Sequence, residues 1–342
     1  MSLPPLVIAN PAARSGRTRG EIETIVAALQ ERIGAVDLAL TERAGHATAL
    51  AARAVAEHRA LVVGVGGDGL LSEVVNGLLG PPDAPAPGGA PGGVAAPDGA
   101  HDGGAAAESL PVLGIVAAGT GGDFGRSLGI APELEAYLAA IAAGRERLVD
   151  VGLARFTDRD GRPVQRYFIN VLSAGIGGLV DRYTAAMPAA VPGRAAYGLA
   201  TVGAVVACRR RRLACRATLA DGSPFERVLD TYAVVVANGH TFGGGMRVAP
   251  AARVDDGLLD VVLIETPTKL TMLRHFLSIY RGEHLTKPGV SAFACTHLEL
   301  GLSTAAATAP AGTIFPLDLD GDALGDVPLV IQVRPGRLRV VA

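Results

Sequence analysis

The stretch over residues 64–77, GVGGDGLLSEVVNG, admits few folds. An apolar run over 60–65 enters it, and a helical pattern ending at Leu79 leaves it. A strand, a glycine turn and a helix start therefore meet at Gly66, Gly67, Asp68 and Gly69. A backbone without Cβ atoms can approach a phosphate closely, and N–H groups at a helix start favour an anion. Asp68 inside the turn has two readings, a cap on the following helix or an acid that serves a ligand.

The same order of elements recurs around this stretch. Residues 4–9 read as a strand, 21–33 as a helix, 36–41 as a strand, 46–58 as a helix, 61–65 as a strand and 71–79 as a helix. Such alternation predicts a parallel sheet with helices on its faces. Ligands bind beyond the carboxyl ends of strands in these sheets, which marks residues 10–17, 41–46 and 66–70. Residues 81–110 hold mostly Pro, Gly, Ala and Asp without periodicity, and read as a disordered surface insertion. His101 and Asp102 within it read as solvated. A fourth strand over 111–117 then runs into a second glycine loop, Gly119-Thr120-Gly121-Gly122-Asp123, and a helix over 132–143 follows.

Beyond Gly144 the pattern turns to strands, over 148–156, 166–172, 213–219, 227–238, 258–264, 291–300, 313–319 and 328–333. Helices interrupt them at 176–187, 195–208 and 269–280. The division predicts an α/β nucleotide domain over 1–145 and a β-rich domain over 146–327. The cleft between the two is the expected active site.

Composition excludes several classes. No apolar run approaches the ~18 residues of a membrane-spanning helix, and the start MSLPPLVIAN has no basic segment of a signal peptide. A net charge of −2 argues against nucleic acid as a partner. Three cysteines, Cys208, Cys215 and Cys295, lack metal spacing and suit buried thiols in a reducing cytoplasm.

Three donor loops converge on the sheet edge: Asn10 with Ser15, Gly16 and Arg17; the GGDG turn with Glu73 and Asn76; and Gly119-Thr120-Gly121. Together they suit a nucleoside triphosphate, and acids among them suit Mg²⁺. The lysine of a Walker A loop is absent, and no GxGxxG follows a strand. Asp320-Gly321-Asp322, taken alone, reads as a hairpin turn. Asp255-Asp256-Gly257 likewise reads as a turn before a strand.

Gly66-Gly67-Asp68-Gly69 with Glu73-Val74-Val75-Asn76-Gly77 resembles the signature of the diacylglycerol kinase catalytic domain superfamily, which includes bacterial lipid kinases and sphingosine kinases. Asn10-Pro11 with Ser15-Gly16, Thr41 with His46-Ala47, and Gly119-Thr120-Gly121 with Asp123-Phe124 are similar to its nucleotide loops. Phe168-Ile169-Asn170, Gly243-Gly244-Gly245 and Asp255 to Asp260 resemble its later segments, and Asp320-Gly321-Asp322 stands where the family has Asp-Gly-Glu. The resemblance spans nearly the whole chain, in order.

It implies an ATP- and Mg²⁺-dependent kinase acting on a lipid hydroxyl, with diacylglycerol the leading substrate. The implied fold is the α/β nucleotide domain followed by a β-sandwich, as in NAD kinases and diacylglycerol kinases. Residues 328–342 would return to the first domain. By the same resemblance Asp68 organises ATP–Mg²⁺, Asp320 is the general base and Asp322 replaces the usual glutamate. A structural Mg²⁺ would rest on Asp256 and the carbonyls of Arg253 and Leu258. Leu70, Gly122 and Asp322 depart from the family's usual Thr, Asn and Glu. Two other readings stand beside this one: an NAD kinase-like small-molecule kinase, and a weakly active lipid-binding or regulatory protein.

Arg209–Arg212 with Arg216 form the one dense basic cluster. It reads either as a solvated strand edge or as a contact with an anionic membrane, on the inner face of the cell membrane. Residues 269–280 read as an amphipathic helix packed on the second domain, with His275 and His284 as surface or capping residues. Homodimerisation is left open.

Overall fold

The computed structural model describes residues 3–11, 18–81, 110–118, 122–188, 191, 193–303 and 315–342. Residues 82–109, nearly all of the expected insertion, lie outside them. The N-terminal half alternates strands and helices: β1 (Leu6–Ala9), α1 (Thr18–Ile33), β2 (Asp37–Leu40), α2 (His46–Ala56), β3 (Leu61–Gly66), α3 (Asp68–Leu79), β4 (Val112–Ala117), α4 (Asp123–Ser127) and α5 (Leu134–Ala143). Strands pair in parallel in the order β2-β1-β3-β4. Buried on both faces, they read as continuous apolar runs such as Leu6-Val7-Ile8-Ala9. Helices α2 and α3 pack together, as do α1 and α5, which gives three layers.

The C-terminal half is β-rich: β5 (Glu146–Asp158), β6 (Pro163–Phe168), β7 (Val171–Gly175), α6 (Ile176–Ala185), α7 (Gly193–Ala207), β8 (Arg211–Leu219), β9 (Pro224–Thr231), β10 (Ala233–Ala237), β11 (Leu259–Ile264), α8 (Lys269–Ile279), β12 (Val290–Leu302), β13 (Pro316–Leu319) and β14 (Asp322–Val341). These strands pair antiparallel with one another and form a β-sandwich. Two expected strands are each two. The run 166–172 bends at Ile169-Asn170, and 227–238 breaks at Tyr232. The expected strand at 328–333 is the middle of β14. That strand spans 20 residues, pairs with β5 along most of its length and reaches β4 at Val340↔Leu113.

Two large apolar cores result. One fills the N-terminal half and takes in Val149, Val151, Leu338 and Val340 from the ends of β5 and β14. The other lies inside the sandwich, around Phe168, Leu213, Val234 and Ile331. All three cysteines are buried free thiols, Cys215 and Cys295 in the sandwich core.

Contact between α2 and α3 depends on Gly77. A Cβ there would stand 2.3 Å from the Thr48 carbonyl oxygen and 2.7 Å from Ala51 Cβ. Backbone cannot yield as a side-chain tip does, so Gly77→Ala is overpacked. It should lower the unfolding free energy by about 1–3 kcal/mol, read as a lower midpoint in urea.

Candidate active site

Asp68 opens α3 directly after the glycine turn, yet it does not cap its own helix. Its carboxylate accepts the N–H groups of Asp123 at 3.5 Å and Phe124 at 3.4 Å, at the start of α4. Both bonds are long. Burial, with the Asp123 charge nearby, pushes the Asp68 carboxyl up to about 6.

The Asp123 carboxylate faces the other half of the molecule. It accepts the N–H groups of Gly244 (2.7 Å) and Gly245 (2.8 Å) and pairs with Arg126 at 2.9 Å. Gly243, Gly244 and Gly245 have φ of 61°, 81° and 103°, a run that L side chains resist. The triple glycine is therefore the shape that aims two adjacent peptide N–H groups at one acid.

Glu73 and Asn76 hold neighbouring segments. The Glu73 carboxylate accepts Gly45 N–H (2.8 Å) and Ala47 N–H (3.1 Å) at the start of α2. The Asn76 amide exchanges two bonds with the backbone of Tyr167 in β6, at 3.0 and 2.9 Å. Both residues were expected to serve a nucleotide. Their polar atoms instead fix the second loop and the sandwich to α3. Asn10 N–H donates to Val65 and Thr41 N–H to Ala9, so both stand with Gly66 and Gly67 at the carboxyl edge of the parallel strands. Ser15, Gly16, Arg17, Gly119, Thr120 and Gly121 lie outside the described residues.

Asp320 comes to this edge from the far end of the chain. Asp320 and Gly321 join β13 to β14 with φ of 51° and 94°, and Leu319 pairs with Asp322. This is a two-residue hairpin whose two central residues both need positive φ, the conformation that favours Asp-Gly. Its acid is only 5% exposed. Oδ2 accepts Ile169 N–H at 2.9 Å, and Oδ1 accepts Asn170 and Val171 N–H at 3.0 Å each. Burial outweighs these three bonds and, with the Asp68 charge, pushes Asp320 up to about 7. Oδ2 keeps a lone pair for another proton donor. Asp322 follows in the hairpin, and its Oδ1 lies 3.8 Å from the position a Cβ on Gly69 would take. Burial raises its carboxyl and the Arg166 charge opposes that rise.

The sequence reading passed over Asp318 and Asp181. Asp318 is buried, accepts Gly321 N–H (2.9 Å) and Ser173 Oγ–H (3.4 Å), and hydrogen-bonds Asp181. Burial raises both carboxyls; the Asp181 charge raises Asp318 further, while the Asp322 charge helps lift Asp181 to about 6 against the contact with Asp318, which lowers it. The available signal was the alternation Asp318-Leu319-Asp320, which puts acids two apart on one strand and its turn. Ser173 also lines an apolar pocket between Val235 and Ile264 on the sheet and Val180, Tyr197 and Met272 on α6–α8. His284 belongs to the wall of this pocket and not to the surface: it is 1% exposed, with Nε2 2.9 Å from the Val248 carbonyl. That bond requires Nε2 to carry the proton.

Asp68, Asp123 and Asp320 concentrate negative charge at the cleft, with Arg126 acting on Asp68 in opposition. Asp68, whose own bonds are long, is the acid that would meet a magnesium ion carried on nucleotide phosphates. Among the described residues no three His, Cys, Asp or Glu stand at metal-binding spacing, so phosphate oxygens would have to complete its shell. At the second expected metal site, Asp256 Oδ1 accepts Leu258 N–H at 3.1 Å, and Arg253 reaches Asp255 at 3.4 Å. The turn reading accounts for these contacts.

Residues 4–154 match the diacylglycerol kinase catalytic domain, and residues 170–342 match the YegS C-terminal NAD kinase beta sandwich-like domain. The chain belongs to the diacylglycerol kinase catalytic domain superfamily. A Staphylococcus aureus protein named diacylglycerol kinase is 26% identical over 285 residues, 83% of this chain and 78% of its own length. A Chromohalobacter salexigens protein named "Probable lipid kinase YegS-like" is 28% identical over 257 residues, 75% of this chain and 70% of its own. A crystal structure of a diacylglycerol kinase from Bacillus anthracis superposes with a TM-score of 0.63 at 18% identity, covering 99% of this chain and 96% of that one. It shares the fold. Membership in this superfamily of kinases implies ATP as phosphate donor and a lipid as acceptor.

Loss of the Asp123 carboxylate would strand the N–H groups of Gly244 and Gly245. Asp123→Ala should therefore lower the unfolding free energy by about 1.5–3 kcal/mol, measured by urea denaturation.

Proposed function

We propose that this chain transfers the γ-phosphoryl group of ATP to the hydroxyl of a lipid alcohol, with diacylglycerol as substrate. The observation that carries the proposal is the position of Asp320. Its buried carboxylate adjoins the start of α3 on one side and β7 on the other. On β7, Val171 binds Asp320 and Ser173 lines the apolar pocket. On this reading one carboxylate would serve both the nucleotide at the sheet edge and the lipid in the apolar pocket.

The lipid hydroxyl oxygen would attack the γ-phosphorus while Asp320 Oδ2 takes its proton. A new P–O bond forms, the bond from the γ-phosphorus to the β–γ bridging oxygen breaks, and ADP leaves. Such a transfer needs mainly positioning and neutralised charge. Asp68 would hold the Mg²⁺ that neutralises the phosphates. The Asp68 charge opposes ionisation of Asp320, so a cation held at Asp68 would also ease ionisation of the base. The names of the Staphylococcus aureus and Chromohalobacter salexigens relatives support a lipid acceptor. Contact with an anionic membrane follows from the acceptor, since the substrate resides there.

Labelled-ATP transfer to a panel of lipid alcohols tests the reading. Diacylglycerol should be phosphorylated, and Asp320→Asn should lower turnover about a hundred- to ten-thousandfold. Turnover by Asp320→Asn at the wild-type rate would refute the assignment of the base, and transfer to NAD in place of any lipid would refute the substrate class.

The raised carboxyl sets a pH dependence in two directions. Asp320 must be ionised to accept a proton, so kcat/KM should rise with pH through about 7. Its effect on stability runs the other way. The folded value lies above the ordinary 3.8, so its stabilising contribution is full below 3.8 and is lost as pH rises through about 7. Rate measurements and urea denaturation across this range check the two signs.

A further inference from the structure

Helix α7 is built inside out. Its small residues face the protein: Ala196, Ala200 and Ala204 are buried, and Gly203 lies against the Tyr183 ring. Three of its large apolar residues face solvent, with Leu199 58%, Val202 63% and Val206 71% exposed. Spacings of three and four put these three on one stripe. On α8, Leu270 and Leu273 are exposed too, and Lys269 Nζ bonds to the Val206 carbonyl, tying the two helices together. Five of the twelve exposed large hydrophobic residues among those described lie on these helices, so the ridge is no chance scatter.

The ridge of α7 runs into Arg209–Arg212. Arg210 and Arg216 pair with Asp230 and Glu226, while Arg209, Arg211 and Arg212 form no ion pair among the described residues. Where α7 meets β8, a cavity of about 220 Å³ is lined by Arg209, Arg211, Ile176, Leu179 and Phe315. Arg211 Nε is buried with no hydrogen-bond partner among the described residues. A guanidinium N–H in that position calls for an anionic oxygen, and the apolar side of the same cavity suits a chain attached to it.

We propose that α7 and α8 form a bilayer-docking face. The apolar ridge enters the acyl boundary, and the cleft at Arg209 and Arg211 takes the phosphate of an anionic phospholipid. An anionic surface balances these arginines, whereas a second copy of the same patch brings more positive charge. Ile176 lines both the cleft and the apolar pocket, and Thr201, Val205 and Met272 of α7 and α8 line the pocket as well. Docking therefore sets the pocket against the layer in which a lipid substrate lies. The identity of that passing lipid rests on the kinase reading, but vesicle binding requires no turnover, so the two ideas fail separately.

The full chain is mixed with phosphatidylcholine vesicles, with and without phosphatidylglycerol, and sedimented. Wild type should bind the anionic vesicles. The triple variant Leu199→Ser, Val202→Ser, Val206→Ser should bind them at least about tenfold more weakly. Arg209→Ala and Arg211→Ala should each cost about fivefold on anionic vesicles and nothing on phosphatidylcholine alone. Turnover of dispersed short-chain diacylglycerol by the triple variant should match wild type, which would show an intact fold. Vesicle binding unchanged in the triple variant overturns the docking face. So does a wild-type dimer that becomes monomeric in the triple variant with vesicle affinity preserved. Equal losses on both vesicle types overturn the phosphate cleft. Intact, ridge-dependent vesicle binding by a chain that phosphorylates no lipid upholds the face and removes the kinase reading.

Discussion

A carboxylate satisfied by peptide N–H groups from a distant segment, buried in the case of Asp123, Asp150 and Asp320, is the joint this molecule uses repeatedly. Asp123 holds Gly244 and Gly245, Asp320 holds Ile169 to Val171, and Glu73 holds Gly45 and Ala47. Asp150 does the same for Gly257 and Gly336, at 2.7 Å each. A charged acceptor makes stronger bonds than a neutral one, and a buried acceptor left without donors is costly. Each joint therefore fixes two segments that the chain alone would not bring together. The cleft between the α/β half and the sandwich owes its shape to these acids before any ligand is considered.

This use of acids explains where the sequence misleads. The order of strands and helices in the first half is legible because apolar period and glycine turns specify each element locally. The second half is legible as β-rich but not in its joints. The break at Tyr232 and the bend at Ile169-Asn170 depend on partners far along the chain. Glu73, Asn76 and Asp123 have the residue types of a nucleotide site, and sequence gives no sign that peptide groups elsewhere engage them. Asp68 does not cap the helix that follows it, as one of its two readings had it; its carboxylate meets the start of the neighbouring helix α4 instead. The hairpin reading of Asp320-Gly321-Asp322 and its reading as a functional acid are compatible, since the turn is the device that buries the carboxylate.

Burial sets the chemistry as well. Asp320 has three donors, which alone would hold a carboxyl low, yet it rises to about 7 because desolvation is the larger effect. Asp318, two residues earlier on the same strand, is raised too, by burial and by the charges of Asp181 on α6 and of Asp320 itself. The pocket beside them is apolar apart from Ser173, Tyr197, Thr201, His275 and His284. Those few polar groups are what a bound molecule would meet when it chooses an orientation.

Strand β14 has a consequence for how the chain assembles. It leaves the Asp320 hairpin, crosses the sandwich beside β5 and ends against β4, joining residues from the last and first thirds of the sequence. A nascent chain emerging in order can form β1 to β4 before β14, and that sheet lacks its fifth neighbour until β14 follows. Pairings of such long separation slow folding, because loop closure must precede the contacts that reward it. The parallel half of the sheet is thus synthesised before β14 and is completed only when β14 joins it.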